Sequence, residues 1–291
     1  MEQATANIIT VPKITDPSRY LSQVDRDDID GDFYNDITKN RDEIHAICCG
    51  NETVGLASVC DDPDAYLYIY IFPDCRNRGY GTQALRAATD LLRSSPLQSI
   101  STAYDSQNAI AAHFARSQGF ETRFFSSLMT YRGNKFEIPE LPIRKLQEEF
   151  FEEAFHISAE AFHIMRLETG HDPNSVLHVP DAETRKSCLE TADERYVYQM
   201  DGEIVGCAHI DGAELDIVAI KISRQGQGFG RLFVKYLVNE ILEKDVGQPF
   251  LYCLVSNRKA WKLYESLGFE ETFRMKFATK KIEPPDPGRD F

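Results

Sequence analysis

The sequence predicts two domains in tandem, each a mixed α/β (α+β) unit, and three observations carry that expectation. Its 291 residues amount to about two domains at roughly 150 residues each. Strand-like segments alternate with amphipathic helical segments in both halves, which marks a mixed layer architecture. The halves also repeat each other. Arg76-Asn77-Arg78-Gly79-Tyr80-Gly81 recurs as Gln225-Gly226-Gln227-Gly228-Phe229-Gly230, and Asn108, Ala111, Gly119 and Phe120 recur as Asn257, Ala260, Gly268 and Phe269, all 149 residues apart. A period that long is a duplicated domain, not a solenoid of roughly 20–50-residue repeats. Pro139 and Pro142 punctuate the chain after Gly133, so the domains are expected to be 1–136 and 137–291.

Each element has its own signal. In the first half, hairpin arms flank Cys49 to Glu52, and Ala65 to Ile71 reads as a strand whose Tyr66, Tyr68 and Tyr70 share one face. A glycine turn follows, then helix Thr82–Leu92, strand Gln98–Ala103 and helix Asn108–Gln118, closed by Gly119. In the second half, Leu146 to Thr169 is helical in pattern, with Phe151, Phe155, Ala159 and Phe162 at three- and four-residue spacing. Strands Arg195–Gln199 and Glu203–Ile210 surround Asp201-Gly202, a strong hairpin signal. Leu215–Ile220 is an apolar strand before the second glycine turn. Helix Arg231–Leu242, strand Phe250–Val255 and helix Asn257–Leu267 complete the repeat, with Gly268 as helix stop. The tail from Pro284 to Gly288 reads as extended.

Composition narrows the function classes. A net charge of −14 argues against nucleic acid, whose phosphates require clustered Lys and Arg. No apolar run approaches the ~18 residues of a membrane span, and the N-terminus lacks a basic head and apolar stretch. The seven cysteines form no C-x-x-C pair and read as reduced core residues, so a cytoplasmic setting is expected. His171 and His178 share a loop but lack ligand spacing, so no metal is expected.

A strand entering a glycine turn and then a helix is an anion site, because the first N–H groups of a helix have no intrahelical partner. The spacing excludes the common alternatives. G-x-G-x-x-G would need glycine where Arg231 stands, and neither half has the Gly-Lys-Ser/Thr of a P-loop. Both halves carry [Gln/Arg]-x-x-Gly-x-Gly instead, and the second continues with Asn257-x-x-Ala260-x-x-x-Tyr264-x-x-x-Gly268-Phe269.

This order of strand, turn, helix, strand and Asn-Tyr-Gly-Phe helix resembles the GNAT superfamily of N-acetyltransferases over most of both halves. The resemblance implies a mainly antiparallel sheet whose two central strands splay, with acetyl-coenzyme A as cosubstrate. It implies that Val218, Ala219 and Ile220 meet the pantetheine arm, that Gln225, Gly226, Gln227, Gly228, Phe229, Gly230 and Arg231 wrap the pyrophosphate, and that Asn257 touches the arm. Arg76, Arg78, Gly79 and Gly81 remain suitable for phosphates in the first half. Tyr264 is implied as general acid to the leaving thiolate, although on the residues alone it is also a core aromatic. Its counterpart is Ala115, so the first half is expected to be a degenerate copy.

Attack on a thioester needs a neutral amine, hence a base. Glu214 and Asp216, on one strand face, and His209 on the neighbouring arm are the candidates. The helices from Leu146 to Thr169 are implied to wall the acceptor pocket. The first 136 residues carry a net charge of −5 and the remainder −9, so the half expected to do the chemistry is the more acidic. The expected activity is direct acetyl transfer to a primary amine of a small molecule. A coenzyme A sensor is the alternative, and an acyl-enzyme on Cys253 a third.

Overall fold

The structure is a computed structural model that describes residues 9–26, 28–29, 31–41, 43–60, 65–92, 99–169 and 180–282. The His171 and His178 loop and the 284–288 tail lie outside the described residues. The chain forms two compact units, Met1–Arg123 with Met275–Phe291, and Phe124–Arg274.

The first unit contains β1 (Ile9–Thr10), α1 (Gly31–Thr38), β2 (Ile44–Cys49), β3 (Glu52–Cys60), β4 (Tyr66–Ile71), α2 (Tyr80–Leu92), β5 (Ser99–Asp105) and α3 (Ala109–Ser117). Next along the chain come β6 (Glu121–Tyr131), β7 (Ile143–Lys145), α4 (Phe151–Thr169), α5 (Ala182–Glu190), β8 (Arg195–Met200), β9 (Glu203–Asp211), β10 (Glu214–Ile220), α6 (Phe229–Lys244), β11 (Phe250–Leu254), α7 (Arg258–Ser266) and β12 (Phe269–Lys281). The first unit's strands run in the order β1-β2-β3-β4-β5-β12, and the second unit's in the order β6-β11-β10-β9-β8-β7.

Each unit therefore takes its last strand from the end of the other repeat. β6 pairs with β11 from Phe250↔Thr130 to Leu254↔Ser126, and Met275–Lys281 of β12 pairs with β5. A division at 136/137 misses this exchange. The two strands are counterparts, and an alternating strand pattern reads the same whichever sheet accepts it. The segment after β6 belongs to the second unit, where Phe136 exchanges two backbone hydrogen bonds with the Asn239 amide (2.8 and 2.9 Å).

The expected pattern of strands holds. Within each unit, neighbours are antiparallel except the central pairs, β4 with β5 and β10 with β11. Those parallel pairs meet at one end only, where Ser101 N–H donates to Ala65 O (2.8 Å) and Phe250 N–H to Ala213 O (3.0 Å). One register pair joins each, Tyr66↔Ser101 and Glu214↔Phe250, and the strands then part. Apolar side chains cover both faces of each sheet. In the second unit Phe233, Val234, Leu237, Val238 and Ile241 of α6 pack on one face, and Phe151, Ala154 and Ile157 of α4 on the other. In the first unit Phe33 and Ile37 of α1 belong to one core cluster, and Leu85, Ala88 and Ala115 to a second. The helices after the glycine turns begin two residues earlier than the periodicity indicates, at Tyr80 and Phe229, because Gly81 and Gly230 already lie in the first helical turn.

Candidate functional site

The two glycine turns are built alike. Asn77 and Gly79 take φ of 60° and 80°, and Gly226 and Gly228 take 76° and 92°, so each turn has two left-handed positions. A Cβ on Gly228 would meet nothing within 4 Å, so that side of the turn is open to a ligand. The flanking side chains brace the turn. Arg76 Nε donates to Ile71 O (3.0 Å) and Gln225 Nε2 to Ile220 O (3.1 Å); Arg78 Nη2 donates to Asp74 O (3.0 Å) and Gln227 Nε2 to Ser223 O (3.2 Å). Arg76 also pairs with Asp28 and lies 5.3 Å from the Tyr70 ring centre, and Arg231 Nη2 donates to Ser266 Oγ (2.7 Å). Each of these five side chains braces the protein through some of its donors, and the backbone N–H groups at the helix starts remain for an anion.

Val218 and Ile220 pack on the α6 side of β10 and Ala219 on the α4 side, all beyond the point where β10 and β11 part. Asn257 caps α7 by accepting from Ala260 N–H (3.2 Å), as Asn108 caps α3 through Ala111 N–H (2.9 Å). Its Oδ1 thus has a structural role, and its Nδ2 is the donor left for a ligand.

Tyr264 projects from α7 into the second unit's core, its ring 5.7 Å from that of Phe269. The residue is half-buried beside Cys253 of β11, and desolvation, with the neighbouring Cys253, holds its pKa well above the ordinary phenol value. Burial likewise pushes Cys253 up to about 11, and Cys207 up to about 12. A thiol that keeps its proton at neutral pH is a poor nucleophile, which speaks against an acyl-enzyme on Cys253.

The candidate bases separate. His209 Nδ1 and Asp216 Oδ2 lie 2.8 Å apart, with Glu194 Oε2 3.9 Å from His209 Nε2. A bulge creates this pair. Leu215 faces Ile210 and Ile217 faces His209, so Asp216 is the extra residue in β10, turned toward the histidine. Glu214 stands at the closed end of the strand pair, opposite Asp211 and Phe250. In the first unit β4 pairs with β3 without a bulge, and Ser58 holds the position of His209. Asp216 has no counterpart there, a difference no sequence pattern announces.

Near the start of β9, Glu203 accepts from Lys221 (2.7 Å) and from both Nη2 and Nε of Arg224 (2.6 and 3.1 Å). These cations hold its carboxyl down to about 2.

A groove of about 370 Å³ opens in the first unit where β4 and β5 part. The glycine turn, Phe114 and Ala115 of α3, and Tyr104 of β5 line it. Tyr104 escaped the sequence reading. The offset of 149 places it on Cys253, as it places Ala115 on Tyr264. Among the described residues, no group of three or more His, Cys, Asp or Glu side chains is arranged to hold a metal ion, and no helix is long and apolar enough to cross a membrane. None of the seven cysteines forms a disulfide; Cys75, Cys207 and Cys253 are buried and the rest half-buried.

Comparison with known proteins agrees with this architecture. The sequence profile of the Acetyltransferase (GNAT) family matches residues 11–120 and 145–269. The chain is 39% identical over 62 residues to the [Ribosomal protein bS18]-alanine N-acetyltransferase of Escherichia coli (strain K12), which covers 21% of this chain and 42% of that protein. The chain thus spans about two fifths of that relative's length. Among solved structures, a GCN5-related N-acetyltransferase from Sphaerobacter thermophilus superposes with a TM-score of 0.71 at 15% identity, covering 98% of both chains. A tandem GNAT protein from the clavulanic acid biosynthesis pathway superposes at 0.59 and 15% identity, covering 84% of this chain and 83% of that one. At such identities these two likenesses concern the fold.

Proposed function

The chain belongs to the Acetyltransferase (GNAT) family, and from that premise we propose that its second unit transfers the acetyl group of acetyl-coenzyme A directly to a primary amine of a small molecule. The observation that carries this reading is the His209–Asp216 pair, set by the β10 bulge beside the strand opening, with the half-buried Tyr264 phenol next to Cys253 of β11.

The residues fit the cosubstrate. The left-handed Gly226 and Gly228 leave an open cradle at the start of α6, and the parted β10 and β11 leave backbone groups of Val218 to Ile220 for an amide-bearing arm. When bound, acetyl-coenzyme A supplies an activated acetyl thioester. His209 takes a proton from the acceptor ammonium, and Asp216 on Nδ1 holds the ring so that Nε2 does so. Tyr264 gives its proton to the sulfur as the carbon–sulfur bond breaks. Glu214, at the closed end of the opening, stands as a further acidic group on the acceptor path.

The more acidic second half favours a cationic acceptor. A second reading, the α-amine of a protein N-terminus, is favoured by the partial likeness to the bS18-alanine enzyme. A coenzyme A release assay over small amines and alanine-initiated peptides, run with His209→Gln, tests both. Turnover confined to peptides favours the second reading, and turnover untouched by His209→Gln removes the assigned base.

A further inference from the structure

The first unit retains the strand opening, the glycine turn and a groove, but not the tyrosine on its last helix. The lost phenol is matched by a gain directly across the groove. In the second unit the helix carries Tyr264 and the strand carries the small Cys253. In the first unit the helix carries the small Ala115 and the strand carries Tyr104. Tyr104 packs against the cluster that contains Ala115, and both line the groove. The tyrosine thus lines from the strand the same groove that the alanine lines from the helix, with Lys276 Nζ 5.8 Å from its ring centre. Burial raises its pKa, so it holds its proton at neutral pH.

The base is not transposed. Ser58 replaces His209, and the bulge that supplies Asp216 is missing. The acceptor side of β4 is aromatic instead, with Tyr68 stacked on Phe33 (centroids 5.5 Å apart, planes 14° apart) and Tyr66 edge-on to Tyr68 (4.9 Å). Among the described residues nothing corresponds to the His209–Asp216 pair, and Asp28 at the groove is held by Arg76. A proton donor without such a pair suits a nucleophile that is already neutral, and an aromatic wall suits a planar ring.

We propose that the first unit is a second acetyl-transfer site, in which Tyr104 takes the place of Tyr264 as proton donor and the acceptor is an amine uncharged at pH 7, an arylamine above all. This rests on the reading of both glycine turns as acetyl-coenzyme A sites. The arylamine nitrogen attacks the thioester carbonyl carbon, and the carbon–sulfur bond breaks with its electron pair going to sulfur. The sulfur takes the Tyr104 proton. The proton shed by nitrogen returns through water to the phenolate, leaving an N-acetylarylamine and coenzyme A thiol. An alkylamine, whose ammonium has a pKa of about 10 like that of lysine, meets no counterpart of His209 among the described residues.

The test uses the full chain carrying Gly228→Asp, which suppresses the second unit, with acetyl-CoA as donor at pH 7. The acceptors are 4-methoxyaniline and phenethylamine. The expected result is coenzyme A release with 4-methoxyaniline and little with phenethylamine. Adding Tyr104→Phe then lowers kcat by about 10²–10⁴-fold, with KM for acetyl-CoA within about threefold. Adding Ala115→Tyr to Tyr104→Phe returns the phenol to the helix and restores part of the rate, which a purely structural role for Tyr104 would not allow. Binding of acetyl-CoA by calorimetry without arylamine-dependent release overturns the proposal, as does an unchanged kcat in Tyr104→Phe, whatever the fate of the Ala115→Tyr variant. Failure of the Gly228→Asp chain to bind acetyl-CoA at all is a different result, because it overturns the cosubstrate reading of the first turn itself.

Discussion

Replacing Tyr264 by phenylalanine removes one oxygen from the second unit and should separate stability from catalysis. The ring remains to pack against Phe269 at 5.7 Å, so no cavity forms. The residue is half-buried and its hydroxyl makes no hydrogen bond among the described residues, so deleting it shifts unfolding free energy by no more than about 1 kcal/mol in either direction. The catalytic effect is far larger. A general acid is worth about 10²–10⁴-fold, equivalent to roughly 3–5 kcal/mol of barrier at 1.36 kcal/mol per tenfold. Burial sets the sign of the pH dependence. An ordinary tyrosine loses its proton near pH ~10, whereas Tyr264 keeps its proton above that pH, so the acid limb of kcat should show no fall through pH 10. The same elevation makes transfer to a thiol of pKa about 8–9 uphill, so the proton moves only as the carbon–sulfur bond breaks. The assay is steady-state coenzyme A release with the best alkylamine acceptor, alongside a thermal melt of each protein. A phenylalanine variant with wild-type kcat would refute the reasoning and return Tyr264 to a packing role.

Three further outcomes follow from the same geometry. Gly228→Asp forces a side chain into φ +92°, a strain of about 1–2 kcal/mol that lowers stability, and sets a carboxylate beside the phosphate cradle; like-charge repulsion of roughly 1–4 kcal/mol should reduce acetyl-coenzyme A affinity in the second unit by about tenfold or more in calorimetry. His209→Gln should lower kcat/KM for an alkylamine by about 10²–10⁴-fold, and Asp216→Asn by less, since it acts through the ring; equal affinities for acetyl-coenzyme A in all three proteins would place the loss in the chemistry. Glu203→Gln should lower the melting temperature at pH 7. Because the folded carboxyl titrates near about 2 and the free one at 4.5, that stabilisation is full above pH 4.5 and fades toward pH 2, where the two melting curves should converge.

Most of the scaffold was legible because it is written in short-range patterns. The Asp201-Gly202 turn (φ 53° and 80°), the five buried apolar residues of α6 and the paired Asn caps all depend on neighbours a few residues away. The repeat itself located both glycine turns. What escaped depends on long-range choices. Strand exchange was invisible because β6 and β12 carry interchangeable patterns. The β10 bulge was invisible because one inserted residue among Glu214 to Val218 alters no periodicity, yet it decides that Asp216 rather than Glu214 meets His209. The bracing bonds of Arg76, Arg78, Gln225 and Gln227 were hidden for a related reason. A cationic or amide side chain beside a phosphate cradle suggests a ligand contact, while the nearest acceptors are carbonyls of the turn itself. Tyr104 was within reach of the sequence, since the same offset that exposed Ala115 also places a tyrosine opposite it.

The most direct measurement of the central claim is product analysis by mass spectrometry after incubating the wild-type chain with acetyl-coenzyme A and a set of primary amines. The account predicts N-acetylated amine and free coenzyme A in equal amounts, with no acetyl group left on Cys253 or elsewhere on the chain. Acetyl-coenzyme A that binds but is returned intact with every amine would contradict it, and would identify the chain as a sensor of the coenzyme.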